Sequence, residues 1–191
     1  MKTILLIRHG MTAGNLEKRY IGRTDQPLCA VGVAQARSLT ASLPRCDIVF
    51  SSPLLRCRQT AAILFPGQAV SIIPDLRECD FGCFEGKSAA ELAHDPCYGA
   101  WLDTNCTAAI PGGEDVTAFK TRSTKAFARA AFSLPENCIA AFVAHGGCIM
   151  AILERFARPG REFHDCHLGN CQWVKCACTD QTLTITGGAL C

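Results

Sequence analysis

The chain has no long hydrophobic run, no marked excess of charge of either sign and no CxxC pair. Its longest early apolar stretch, Ile4 to Ile7, is far too short for a signal-peptide core or a membrane span, and it leads straight into Arg8 and His9. A soluble, cytoplasmic protein is expected. Nineteen Lys and Arg face seventeen Asp and Glu for a net charge of +2, with no basic stripe of the kind that follows a nucleic-acid backbone. Nucleic acid and anionic membrane are therefore disfavoured as partners. Repeats, low-complexity tracts and linkers are also missing, so 191 residues with 49% hydrophobic content read as a single domain, 1–191, with a substantial core.

Cysteine is abundant, at 14 residues scattered through helix-like and strand-like stretches. With no secretion signal, these read as thiols serving as small buried hydrophobes rather than as a disulfide framework. The densest group, Cys166, Cys171, Cys176 and Cys178 with His164 and His167, matches no structural zinc spacing, and Cys176 and Cys178 fall on one face of a strand. Neither a metal nor a cofactor is expected.

Ile4 to Ile7 suits a central parallel strand buried on both faces, as does Ile139 to Val143. Gly32 to Leu43, Leu54 to Leu64 and Gly147 to Phe156 read as helices. Asp47 to Phe50 and Ala69 to Ile73 read as further strands, and Gln172 to Cys178 with Leu183 to Ile185 as closing strands. The clearest helix starts at Glu114, with Val116, Phe119, Ser123, Phe127, Ala130 and Leu134 three or four residues apart. Between Glu78 and Pro111 periodicity lapses except near Ala89 to His94, which marks a capping excursion at about 79–110. Alternating strands and helices imply an α/β three-layer sandwich, a largely parallel central sheet with helices on both faces. Such sheets bind ligands at the carboxyl ends of their strands.

Two strands end alike, in Ile7-Arg8-His9-Gly10 and in Ala144-His145-Gly146-Gly147. Either histidine alone reads as an ordinary strand-end residue. Together, on central parallel strands, they would meet at one sheet edge, where glycine permits close approach of a ligand and exposed amides favour an anion. A third strand runs into Ser52-Pro53, a good helix start with serine as cap and proline first in the helix. That places Arg56 in the first turn, where it could converge with Arg8 on one anion. Two guanidinium forks suit a phosphoryl group.

These motifs continue in order through the chain. Arg8-His9-Gly10 is followed by Thr12 and Asn15, Gly22-Arg23-Thr24-Asp25 and Ser52-Pro53-Leu54 with Arg56. Then come Leu76-Arg77-Glu78 with Phe81-Gly82, Pro111-Gly112-Gly113-Glu114 and His145-Gly146-Gly147. In this the sequence resembles the histidine phosphatase superfamily, the phosphoglycerate-mutase-like fold. The resemblance implies that His9 is the phosphorylated nucleophile and that Glu78 protonates the leaving oxygen and then activates water. It also implies that Arg8, Arg56 and His145 hold the phosphoryl oxygens, with Asn15, Gly22 and the Gly146 amide contributing. Read from the residues alone, Glu78 could equally belong to a surface ion pair, and Asn15 to a turn.

Within the superfamily the chain is most similar to small bacterial phosphatases of the alpha-ribazole phosphatase kind, of cobalamin synthesis. That implies hydrolysis of a small phosphorylated metabolite, with alpha-ribazole 5'-phosphate as the candidate substrate, by a monomer or homodimer. A phosphoglycerate mutase or sugar-phosphate phosphatase is the alternative, and a non-catalytic phospholigand-binding module a second. The main departures from the family's pattern are cysteines beside its motifs, Cys57, Cys79, Cys83 and Cys148. A thiol beside clustered arginines is expected to ionise and react readily.

Overall fold

The computed structural model describes residues 1–190. Its strands are β1 (Lys2–Arg8), β2 (Ile48–Ser51), β3 (Val70–Ile72), β4 (Ile139–Ala144), β5 (Trp173–Thr179) and β6 (Thr182–Gly188). They form one sheet in the order β3-β2-β4-β1-β5-β6. The first four neighbours run parallel, and β5 and β6 close the sheet antiparallel. β1 and β4 lie at its centre with Leu6 paired to Phe142 and Arg8 to Ala144. Their unbroken apolar runs are what a strand covered on both sides requires.

Side chains leave a strand alternately to either face, and the two faces are buried by different helices. Ile4, Leu6, Ala140 and Phe142 pack against α6 (Val116–Phe132) and α7 (Gly146–Phe156). Leu5, Ile7, Ala141 and Val143 pack against α2 (Ala30–Thr40) and α3 (Leu55–Leu64). Phe142 joins the first layer, its ring 4.7 Å from that of Phe50 and 4.9 Å from that of Phe127. Truncating such a buried phenylalanine costs about 3–5 kcal/mol.

A third apolar cluster, Phe84, Leu92, Tyr98, Trp101 and Ile110, lies beyond these two and meets the first at Phe81. It gathers the excursion after Glu78, built on α4 (Ala89–Leu92) and α5 (Pro96–Asp103). The pattern near Ala89 to His94 announces α4, but no periodicity announces α5. Only Tyr98 and Trp101 of its residues are buried, too few for a periodic signal, and its start is encoded instead in Asp95, which caps Cys97 and Tyr98, followed by Pro96.

Each of the four expected helices starts within two residues of its expected place, and at two of them the cap is not the one expected. α3 begins at Leu55 without a cap from its own flank. Asp25 caps it from a distant loop, its Oδ1 accepting from the Leu55 amide at 2.6 Å, while Ser52 Oγ, engaged by His145, accepts from the Leu54 amide just before the helix at 3.3 Å. α6 begins at Val116, capped by Asp115 rather than opened by Glu114. Among the described residues, no helix is long and apolar enough to cross a membrane. Nor does any group of His, Cys, Asp and Glu there gather as metal ligands, and Cys176 and Cys178 point with Val174 into the core.

Candidate active site

The parallel register of β1 and β4 brings the two histidines together, with the His9 amide donating to the Ala144 carbonyl at 3.0 Å. Beyond the strand ends lies a cavity of about 300 Å³. Its polar floor includes Arg8, His9, Asn15, Glu78, Gly146 and Gly147, and its apolar wall includes Tyr20, Phe81, Trp101, Ile110, Phe119, Met150 and Phe163.

His9 is buried, and its Nδ1 lies 2.7 Å from the Gly10 carbonyl. A carbonyl can only accept, so Nδ1 carries the proton and Nε2 keeps its lone pair. Burial, then the positive charge of Arg56 and Arg8, holds this imidazole well below its usual range, against a smaller opposing effect of the Gly10 carbonyl. A neutral ring with a free nitrogen is what a nucleophile needs.

Arg8 follows the last core residue of β1. Its Nη1 donates to the Leu168 carbonyl and lies 3.3 Å from Nε2 of His167. Its Nε is buried beside Gly146 without any partner among the described residues. A buried charged donor left unpaired is costly, which marks this edge of the fork as a place for an anion. The Gly146 amide, first in α7, likewise makes no hydrogen bond among the described residues.

Asn15 lines the cavity from α1 (Ala13–Leu16). Its Oδ1 accepts from the Thr12 amide in a capping box and from Nδ2 of Asn170, so its own Nδ2 is the polar group left to offer. Asn15 thus serves the turn, as its residue type suggests, and lines the cavity as well.

Arg56 is fully buried, bonded to His145, and is not among the residues that line the cavity. Its guanidinium donates to the carbonyls of Ile21, Gly22 and Thr24, at 3.3, 2.9 and 2.9 Å. Its Nε donates to Nδ1 of His145 at 3.2 Å, so the neutral His145 carries its proton on Nε2 and gives it to Ser52 Oγ at 2.7 Å. Burial first, then Arg56, keeps His145 well below the ordinary imidazole range. Arg8 faces the cavity, and Arg56 lies buried close enough for its charge to act on Arg8, His9 and Glu78. Gly22 serves the same substructure. Its amide donates to Glu85, its carbonyl accepts from Arg56, and an added Cβ would stand 1.8 Å from the Cys79 carbonyl.

Glu78 reaches the cavity from the turn after β3. Its carboxylate accepts from the amides of Cys79 and Gly147, each at 3.0 Å. The ion pair of this turn belongs instead to Arg77, with Asp75. Gly147 has to be glycine for this approach, since a Cβ would lie 2.6 Å from Glu78 Oε1. Burial raises the Glu78 carboxyl above its usual range despite the two amide bonds and the nearby Arg56 and Arg8. A carboxyl that retains its proton suits a general acid.

The thiols beside these motifs correct the expectation of easy ionisation. Burial lifts Cys57 and Cys79 each to about 12 and Cys148 well upward, outweighing Arg56 at Cys57 and Arg122 at the other two. Cys83 is exposed on the surface. His164 and His167, which the sequence brings forward only beside the cysteine group, both line the cavity, and nothing in the sequence marks Asn170, whose side chain ties the His9 carbonyl to Asn15.

Residues 4–188 match the sequence profile of the histidine phosphatase superfamily (branch 1). The chain is 34% identical over 158 residues, 78% of its own length and 77% of the relative's, to the adenosylcobalamin/alpha-ribazole phosphatase of Salmonella typhimurium. It superposes on the crystal structure of the alpha-ribazole phosphatase from Shigella flexneri with a TM-score of 0.83 at 27% identity, covering 96% of this chain and 94% of that one. With the crystal structure of phosphoglycerate mutase from Thermus thermophilus the TM-score is 0.76 at 34% identity, covering 97% of each chain. The chain belongs to the histidine phosphatase superfamily. It is an enzyme of the phosphomonoester-hydrolysing class.

Proposed function

We propose that the enzyme hydrolyses a small phosphomonoester in two steps through phosphorylated His9. The observation that carries this reading is the pair of unspent groups at one spot, the Nε2 lone pair of His9 and the partnerless Nε–H of Arg8. His9 Nε2 attacks phosphorus while Glu78 protonates the departing oxygen. Glu78, now ionised, takes a proton from the water that attacks phosphohistidine and releases phosphate. Phosphoryl transfer requires in-line positioning and neutralisation of charge spread over three oxygens. Arg8, the Gly146 amide and Asn15 supply donors, and Arg56 with His145 supplies a buried positive base beneath His9.

The wall of the cavity supports a leaving group with an apolar or aromatic part, such as alpha-ribazole 5'-phosphate, over phosphoglycerate. A phosphoglycerate carboxylate calls for a second cation, and the other arginine of the cavity, Arg19, is committed to Glu17, Glu91 and the Gly86 carbonyl. The reading extends to one domain whose 79–110 segment caps the site. It also makes the enzyme cytoplasmic, its many thiols suiting a reducing compartment. The test is a panel of phosphomonoesters containing alpha-ribazole 5'-phosphate and 3-phosphoglycerate, with released phosphate and isomerised phosphoglycerate both measured. Phosphate release led by the aromatic substrate is expected; isomerisation outpacing release would favour a mutase.

A further inference from the structure

Glu78 stands on a stretch of backbone that no helix or strand ladder secures. It follows a single 3-10 turn, Pro74–Leu76, and leads on from an extended residue, Arg77. Consecutive carbonyls here are instead captured from behind by side chains of two helices. The Cys148 thiol, on α7, donates to the carbonyls of Leu76 and Arg77 at 3.3 and 3.2 Å. Arg122, on α6, donates Nη1 to the carbonyls of Asp75 and Arg77, both at 2.8 Å, and Nη2 to the carbonyl of Glu78 itself at 3.0 Å.

The remaining Arg122 donors go to Glu114, Nε to Oε1 and Nη2 to Oε2, each at 2.6 Å. All five N–H groups of one guanidinium are thereby spent. Glu114 is in turn pinned to the same loop, its amide donating to the Asp80 carbonyl at 3.0 Å. Phe119, one helical turn before Arg122, lies under the guanidinium at 5.0 Å and lines the cavity. The Pro111-Gly112-Gly113-Glu114 motif thus acquires a role that its sequence left open.

We propose that Arg122, anchored by Glu114, is a positioning residue that sets the Glu78 carboxyl against the departing oxygen. The inference rests on Glu78 being the general acid. Arg122 touches no reacting atom. It fixes the three carbonyls around the Glu78 peptide so that the side chain, held at its other end by the Cys79 and Gly147 amides, has one place to stand. Its own charge is balanced by the bidentate carboxylate, so it grips neutral carbonyls without acting as a phosphate ligand.

The test compares single-turnover phosphorylation by an alkyl phosphate and by nitrophenyl phosphate, whose leaving group needs little protonation. Arg122→Met should slow the alkyl substrate by up to ~10²-fold, the cost of ångström-scale misplacement, and the nitrophenyl substrate far less. KM should move little, and Arg122→Lys, which can still reach one or two of the carbonyls, should recover part of the loss. In a Glu78→Gln background, Arg122→Met should leave the ratio of the two rates unchanged, because there is no acid left to position. If Arg122→Met does not fold, Glu114→Gln, which leaves the guanidinium half-anchored, should show the same split at smaller size.

Equal slowing of both substrates alongside a fall in Tm would overturn the proposal while leaving Glu78 as the acid. So would a full additional effect in the Glu78→Gln background. If Glu78→Gln alone fails to separate the two substrates, the assignment of the acid is wrong and the proposal falls with it.

Discussion

The rings of His9 and His145 meet edge to face, centroids 5.1 Å apart and planes inclined at 64°. Neither carries a charge, because burial and Arg56 oppose protonation of both. One is left with a bare nitrogen toward the cavity, and the other has both nitrogens occupied by Arg56 and Ser52.

Two neutral buried imidazoles make the fold acid-sensitive. Their folded-state pKa values lie well below the unfolded value of about 6.5, so below that pH the unfolded chain binds more protons than the native one. The stability they allow is fully present above about pH 6.5 and is lost as pH falls below it. The urea midpoint should therefore drop between pH 7 and pH 5, and more shallowly in His145→Gln. An identical slope in that variant would count against a neutral, buried His145.

His9→Ala should abolish turnover and the acid-labile phosphoenzyme together, since the His9 Nε2 lone pair is the one set beside Nε of Arg8, whereas Nε2 of His167 is engaged by Arg8 Nη1. Rapid quenching with radiolabelled substrate checks this. Vanadate, which mimics the phosphoryl group in transit, should inhibit the wild-type enzyme. Label retained on the His9→Ala protein would point to another nucleophile.

Glu78→Gln should slow transfer from an alkyl phosphate by ~10²–10⁴-fold, the usual cost of a lost acid or base. Because burial raises the Glu78 carboxyl, it keeps its proton to a higher pH than an ordinary glutamate. In the wild-type enzyme, kcat/KM for the alkyl phosphate should fall as pH rises through that raised value, with a shallower fall for nitrophenyl phosphate. Matching pH profiles for the two substrates would remove Glu78 from the acid's role.

Hydrolysis should survive exhaustive chelation, since the positive charge that phosphoryl transfer demands is supplied by Arg8 and Arg56. Activity lost to a chelator and restored by magnesium or zinc is the contrary result.

Arg56→Ala should be among the most destabilising single changes at the site, by about 3–5 kcal/mol in denaturant unfolding, because several buried groups lose a charged donor at once. They are the carbonyls of Ile21, Gly22 and Thr24 and Nδ1 of His145. Arg8→Ala should instead raise KM with less effect on stability, because it releases only the Leu168 carbonyl and His167 from Nη1, while Nε has no partner among the described residues.

The strands and the order of layers were legible because β1 and β4 carry apolar runs that only a doubly covered strand tolerates. His9 and His145 were legible as a pair because both sit just past such a run. What stayed hidden depends on contacts between segments far apart in sequence. The cap on α3 comes from Asp25, thirty residues earlier, and nothing local to Leu55 announces it. Arg56 could be placed in its turn, yet its commitment to the carbonyls of residues 21–24 could not. The thiols misled for a related reason: neighbouring arginines are visible in the sequence, whereas the depth of burial that outweighs them is not.

The excursion after Glu78 keeps its own apolar cluster, which meets the one on the α6 and α7 side of the sheet at Phe81. Tyr20, Phe81 and Trp101 present that cluster to the cavity, whose polar floor is framed by the paired ends of β1 and β4. Substitutions at Phe84, Leu92 or Tyr98 can therefore reshape what the pocket admits without disturbing the strand register that aims His9, because distant sites act independently. Descendants of such a chain can exchange one metabolite for another by redrawing the excursion, and inherit the chemistry unaltered.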